Sequence, residues 1–239
     1  MMSRRPAPCR SLRALALCCL ALAAGCASAP DHFHTLRPPA ATVANAARGA
    51  TQMLSIGPVT VPDSLDRAEW VIRTGDTGAR VYDHQLWTQG LAADVAQTLV
   101  DYLNGGALAD GSWADAGPTG SGSGADLAAT PPLRVRVQVL RFDSMLAPPA
   151  VSDQVRWTIE CLPSDATLSP VDAGRFRTVR TGVREVSAPA PEANLSLEEP
   201  QQRYDRVARA HSTAIHAVAD DIAAALRDSA VQRGAACVK

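Results

Sequence analysis

A stripe of seven side chains in the C-terminal third constrains this chain more than any other feature. Tyr204, Ala208, His211, Ile215, Val218, Ile222 and Ala225 follow one another at spacings of 4, 3, 4, 3, 4 and 3. That is the period of a helix with one apolar face, and it predicts a helix from Glu198 to about Ala230. Pro200 is tolerated in its first turn, and Ser196 with Glu199 has the S-x-x-E spacing of a capping box. Asp205 and Arg209 add an i, i+4 ion pair worth about 0.3–0.5 kcal/mol. An amphipathic helix of this length needs a surface to cover. A sheet is favoured over a partner helix in a coiled coil, because the seam is narrow and rich in alanine.

The sheet is legible upstream. Leu133, Val135, Val137 and Val139 alternate with Arg134, Arg136 and Gln138, and Val155, Trp157, Ile159 and Cys161 alternate with Arg156, Thr158 and Glu160. Period 2 marks half-buried strands. Ala147-Pro148-Pro149 turns the chain between them, and Gly174 to Ser187 reads as a further strand. Nearer the N-terminus, Phe33-His34-Thr35-Leu36 and Met53 to Val59 are strands. Gly57-Pro58 requires an edge position or a bulge in the second, because proline has no amide hydrogen for the ladder. Val61-Pro62-Asp63-Ser64 forms a turn. Trp70 to Arg73 and Ala79 to Tyr82 flank Thr74-Gly75-Asp76-Thr77-Gly78 as a hairpin. Leu91, Val95, Leu99 and Leu103 then give a second helix, which Asn104-Gly105-Gly106 stops in a left-handed conformation. The predicted fold class is α/β (α+β): one domain, a mixed sheet with two main helices packed on it.

Residues 104–132 are rich in Gly, Ala, Ser and Asp and read as a flexible, solvated insertion. Gly120-Ser121-Gly122-Ser123-Gly124-Ala125 formally matches a dinucleotide fingerprint. No strand precedes it and no helix follows, so a phosphate would find no helix N-terminus.

The N-terminus sets the location. Arg4, Arg5, Arg10 and Arg13 precede an eleven-residue apolar run, Ala14 to Ala24, which leads through Gly25 to Cys26. A bilayer span needs roughly 20 apolar residues, so this is a signal sequence of the lipoprotein type. The residue three before the cysteine is Ala23 instead of the usual leucine, which stands one position earlier as Leu22. An ordinary secretory signal is the alternative. On the lipoprotein reading residues 1–25 are cleaved and Cys26 is acylated, with enough chains for stable anchoring. Residues 26–32 then form a tether and 33–239 a periplasmic domain. Ala27 and Ser28 follow the cysteine, where an aspartate would signal retention at the inner membrane, so the expected site is the periplasmic face of the outer membrane.

Cleavage removes four arginines and no acid, so the net charge of −1 becomes −5. Bulk charge therefore excludes a nucleic-acid binder. Of six cysteines only Cys161 and Cys237 lie beyond Cys26. In an oxidising periplasm they read either as a disulfide or as a buried thiol and a loose one. His32 and His34 share a strand face without a third ligand, so no metal and no cofactor is expected. His211 and His216 are too far round their helix to share a ligand, and His211 on the apolar stripe reads as a buried, hydrogen-bonded histidine. No G-x-S-x-G and no H-E-x-x-H occurs, which argues against an enzyme, although triads assemble in space and leave no obligatory local signature.

Leu54-Ser55-Ile56-Gly57-Pro58-Val59-Thr60-Val61-Pro62, then Leu65-Asp66-Arg67 and Leu86-Trp87, together with Cys26 and Phe33-His34-Thr35-Leu36, carry a resemblance. The chain resembles the PqiC/YmbA-like ABC-type transport auxiliary lipoproteins, which share a lipobox, a YYTL-like first strand and a GPV-x-x-P-x-x-LDR segment. Phe33-His34 replaces Tyr-Tyr, Leu86 replaces an arginine before Trp87, and residues 104–132 look longer than the family needs. The resemblance implies a fold of β-α-β units in a mixed sheet. It also implies an envelope lipoprotein that works with an MCE-domain protein and an inner-membrane transport component to move lipid between membranes. The family pattern falls on Gly57, Pro58, Pro62, Leu65, Asp66, Arg67 and Trp87, each read first as a turn-former or structural residue. A stand-alone module binding a lipid or other apolar ligand is the alternative function, and a homo-oligomer stays open.

Overall fold

The computed structural model describes residues 29–37, 52–108, 112–116, 133–161, 177–190 and 199–228. Its eight strands are β1 (His32–His34), β2 (Gln52–Thr60), β3 (Glu69–Arg73), β4 (Ala79–Trp87), β5 (Ser112–Ala116), β6 (Leu133–Leu146), β7 (Pro149–Cys161) and β8 (Arg177–Pro189). Helix α1 (Leu91–Tyr102) follows β4 and continues into a π-helical turn (Leu103–Ala107), and α2 (Pro200–Leu226) follows β8. All strands join one mixed sheet. The pairs β1/β4, β2/β5 and β2/β6 are parallel; β3/β4, β6/β7 and β7/β8 are antiparallel. The α/β reading with two helices on a mixed sheet therefore holds.

β6 organises the sheet because it is long enough to take two neighbours on one edge. β7 pairs along its whole length, so β2, from Leu133 to Gln138, and β3, at Met145, share the opposite edge. A register shift between Val139 and Arg141 is essential to this strand. Before it the buried side chains are Leu133, Val135, Val137 and Val139; after it they are Phe142 and Ser144. The bulge inserts one residue and so changes which parity faces the core. The two-residue turn Ala147-Pro148, cis at that bond, returns the chain into β7.

Both helices lie on one face of the sheet. α2 packs on β6, β7 and β8, α1 on β2 and β5, and the helices touch each other. Six of the seven stripe residues are buried and Tyr204 is half-buried. A second row, Val207, Ala214, Ala219 and Ala223, is buried too. The stripe meets a sheet, so no coiled-coil partner is required. Two local expectations differ. The N-cap is Glu199 with Pro200 behind it and no side-chain cap; Ser196 lies outside the described residues. The Asp205 carboxylate approaches His34 Nδ1 at 3.5 Å instead of pairing with Arg209.

The Gly57-Pro58 bond, cis, sits within an interior strand where β2 slips register against β6 between Ile56 and Val59. Of the two solutions open to a proline there, edge or bulge, the chain uses a bulge, and Gly57 takes φ 132°, which only glycine adopts readily. The helix stop also falls where glycine allows it: Gly106 has φ 124° and Leu108 N–H donates to the Leu103 carbonyl at 3.2 Å.

Within 104–132, read as a flexible insertion, residues 104–107 close the π-helical turn and 112–116 form β5. Asn104 decides this. Its Nδ2–H donates to the Ala114 carbonyl and its Oδ1 accepts the Ala114 N–H, both at 2.8 Å, so one side chain completes what a further strand would offer. Residues 117–132 lie outside the described residues, as do 1–28, with Cys26, and 229–239, with Cys237. No described helix is long and apolar enough to cross a membrane. Cys161 is fully buried and disulfide-bonded.

Candidate functional site

The densest polar chemistry lies where α2 crosses the sheet. His211 is fully buried at mid-helix, Asp153 comes from β7, Ser144 from β6 beyond its bulge, and Trp70 from β3. His211 Nδ1 is 2.9 and 2.8 Å from the two Asp153 carboxylate oxygens, and His211 Nε2 is 2.8 Å from Ser144 Oγ. The Trp70 indole N–H donates to Ser144 Oγ at 2.8 Å. An indole can only donate, so Ser144 must accept there. With a neutral imidazole protonated at Nδ1, the serine hydroxyl donates on to Nε2 and every polar atom on the path is used. Burial pushes the Asp153 carboxyl up, and the adjacent imidazole partly offsets this.

Serine, histidine and aspartate in this order are the groups of a hydrolytic triad. The surroundings differ from one. All three are at most 1% exposed, Trp70 caps the serine oxygen, and the Phe142 ring stacks on His211 with centroids 3.8 Å apart and planes 12° apart. Trp87 lies against both Trp70 (4.6 Å) and Phe142 (5.9 Å). As built, the geometry gives a substrate carbonyl no approach to Ser144 Oγ. What it does is join three strands and a helix at one point.

The second cluster secures β1. His34 is buried, with Nε2 donating to Gln85 Oε1 at 2.7 Å, and its ring meets Trp70 edge-on at 4.8 Å. Burial holds its pKa below the usual histidine value, with Gln85 and Asp205 opposing. Thr88 donates from both N–H (2.9 Å) and Oγ1 (2.8 Å) to the His34 carbonyl. Thr35 Oγ1 donates to Asp94 Oδ1 at 3.3 Å, and Arg37 Nε to Asp101 Oδ2 at 2.7 Å, tying the end of the segment to α1. Asp94 is fully buried with Oδ2 unpartnered, and burial raises its pKa to about 6.

The residues of the family pattern do not converge on these clusters, Trp87 excepted. Pro62 accepts from Leu65 N–H (2.8 Å) and Asp66 N–H (3.1 Å) in the turn after β2. Leu65 is half-buried against the core, while Asp66 and Arg67 are exposed. His32 and His34 belong to no group of three potential metal ligands among the described residues. The reading of His211 as a buried, hydrogen-bonded histidine agrees with its place. Asp153 was missed, although a carboxylate between Val151 and Val155 on the core parity of a strand is a legible anomaly. Ser144 could not be assigned to that face without knowledge of the bulge.

No curated protein matches the chain. Among solved structures, an uncharacterized protein aligns at TM-score 0.56 and 17% identity, covering 82% of this chain and 98% of its own. Protein XCC0632 from Xanthomonas campestris, a DUF330 protein, aligns at 0.50 and 15%, covering 86% and 96%. At these identities the likeness is one of fold. Residues 34–223 match the family model described as the ABC-type transport auxiliary lipoprotein component.

Proposed function

The chain belongs to the ABC-type transport auxiliary lipoprotein family, and from that premise we propose that it is the lipid-anchored, non-enzymatic auxiliary subunit of an MCE-type intermembrane lipid-transport system. The family match over residues 34–223 carries this reading. The lipobox ending in Cys26 adds to it: acyl chains there hold the protein at the periplasmic face of the outer membrane, and the sheet-and-helix domain supplies the surface that docks an MCE-domain protein and its inner-membrane component. A docking subunit needs a rigid domain firmly joined to its tether. The bonds from Thr88, Asp94 and Asp101 to residues 34–37 meet that need.

Labelling with radioactive palmitate tests the anchor. Label is expected in the parent protein and lost in Cys26→Ala; label that persists in the variant removes the claim. For docking, the purified domain is expected to capture the MCE-domain protein while carrying no stoichiometric lipid by mass spectrometry. A stoichiometric lipid with no capture would establish a stand-alone binding module instead.

A further inference from the structure

Among the described residues three large apolar side chains are exposed, and Phe33, at 65%, is the most exposed of them; Val183 (52%) and Val81 (37%) follow. Side chains alternate along a strand. His34, turned to the helices, therefore sends Phe33 to the opposite, open face of the sheet. The register places Phe33 beside half-buried Leu86 of β4, and Leu86 in turn beside Glu69 of β3. β1 ends the sheet, with β4 as its one neighbour among the described residues. It cannot peel away cheaply, because His34 and Leu36 are buried and Thr35 and Arg37 are bonded to α1. Phe33 stands seven residues after Cys26, a span of about 25 Å when fully extended.

We infer that Phe33 seats in the interfacial zone of the bilayer that holds the Cys26 anchor, so that the β1 edge and the open face around it form the membrane-proximal side of the domain. The inference rests on the lipid-anchor reading. It commits to a phospholipid surface because the ring lies on the first strand after the tether, within its reach, and on a strand bonded too well to turn away. An aromatic ring at the headgroup boundary leaves water without crossing the bilayer. The two helices, on the other face, are then left free for protein partners. The contact is apolar, with Glu69 as the charged neighbour on that face, so salt should not release it.

The test uses the full, lipidated chain carrying Phe33→Trp, reconstituted into vesicles of phosphatidylethanolamine and phosphatidylglycerol with or without brominated acyl chains. The signal is the difference from the parent protein, whose Trp70, Trp87 and Trp157 are buried and whose Trp113 is half-buried. A Val183→Trp chain, on the far edge strand, is the control. The expected result is blue-shifted emission at position 33, quenched about twofold by brominated lipid and unchanged by high salt, with position 183 unquenched. If palmitate labels Cys26 but position 33 is no more quenched than position 183, the inference falls and the anchor stands. A blue shift without quenching by brominated lipid means a protein covers Phe33 and also overturns it. Absence of palmitate overturns the anchor and this inference with it.

Discussion

Asp94 lies fully buried in α1 with one of its two oxygens unpartnered. Its pKa is near 3.8 in the unfolded chain and about 6 in the fold. Below the lower value both states hold the proton. Between the two values only the folded state does, so stability falls as pH rises from about 4 to 6 and stays lower above that, by roughly 3 kcal/mol. Asp94→Asn should abolish this part of the pH dependence and be more stable than the parent at pH 7.5; urea denaturation across the range measures it. Removing His211 leaves a buried carboxylate, Asp153, with its partner gone. His211→Ala should therefore cost about 3 kcal/mol or more, the penalty for a buried charged group that loses its hydrogen bond, and Ser144→Ala about 1–3 kcal/mol, because Trp70 and His211 each lose a partner. Because Trp70 caps Ser144, a fluorophosphonate probe should leave the native protein unlabelled, and labelling of Ser144 would make the cluster catalytic. The buried place of His211 was readable from the stripe. Its partners were not, since Ser144 and Asp153 stand 67 and 58 residues away.

At the scale of elements, alternation and periodicity located most strands and both helices, because each element's own residues carry its pattern. What defeated pattern was any change of parity or any element stabilised from outside. The bulge in β6 turns Phe142 and Ser144 inward, and β5 exists in a Gly- and Ala-rich stretch through Asn104 and its pairing with β2. β8 shows the same dependence on neighbours. Gly182 faces Trp157 across the β7/β8 pair, and a Cβ there would collide with the indole ring. Gly182→Ala should cost about 1–3 kcal/mol through overpacking, read as a lower denaturation midpoint with an unchanged slope. The Arg184–Asp221 pair between β8 and α2, with Nε–Oδ2 at 2.8 Å, is partly exposed and contributes little by comparison.

For the molecule as a whole, the described residues form a sheet with helices on one face and, among those residues, a polar face left uncovered on the other. The open face is laced by polar pairs: Arg134 with Glu160 (2.6 Å), Arg156 with Gln138 (3.1 Å) and Thr158 with Thr181 (3.3 Å). Cys161 closes the inner end of β7 in a disulfide, and we propose Cys237 as its partner, tying the C-terminal tail to the sheet. Peptide mapping under non-reducing conditions should recover the linked pair, and Cys237→Ser should lose it at a cost of about 3 kcal/mol or more. A Cys161 peptide linked elsewhere, or free, refutes the pairing.

Sequence by itself determined the class of fold and the family, because both are written in local signals: a helical period, two alternating strands, and glycine and proline at turns. Tertiary structure alone decided which side chains meet. It brings Trp70, Ser144, Asp153 and His211 to one buried point and turns Phe33 outward. The reason is physical. Hydrogen bonds and burial depend on distances in space, and a one-residue bulge or a long crossover changes those distances while leaving composition and period almost untouched.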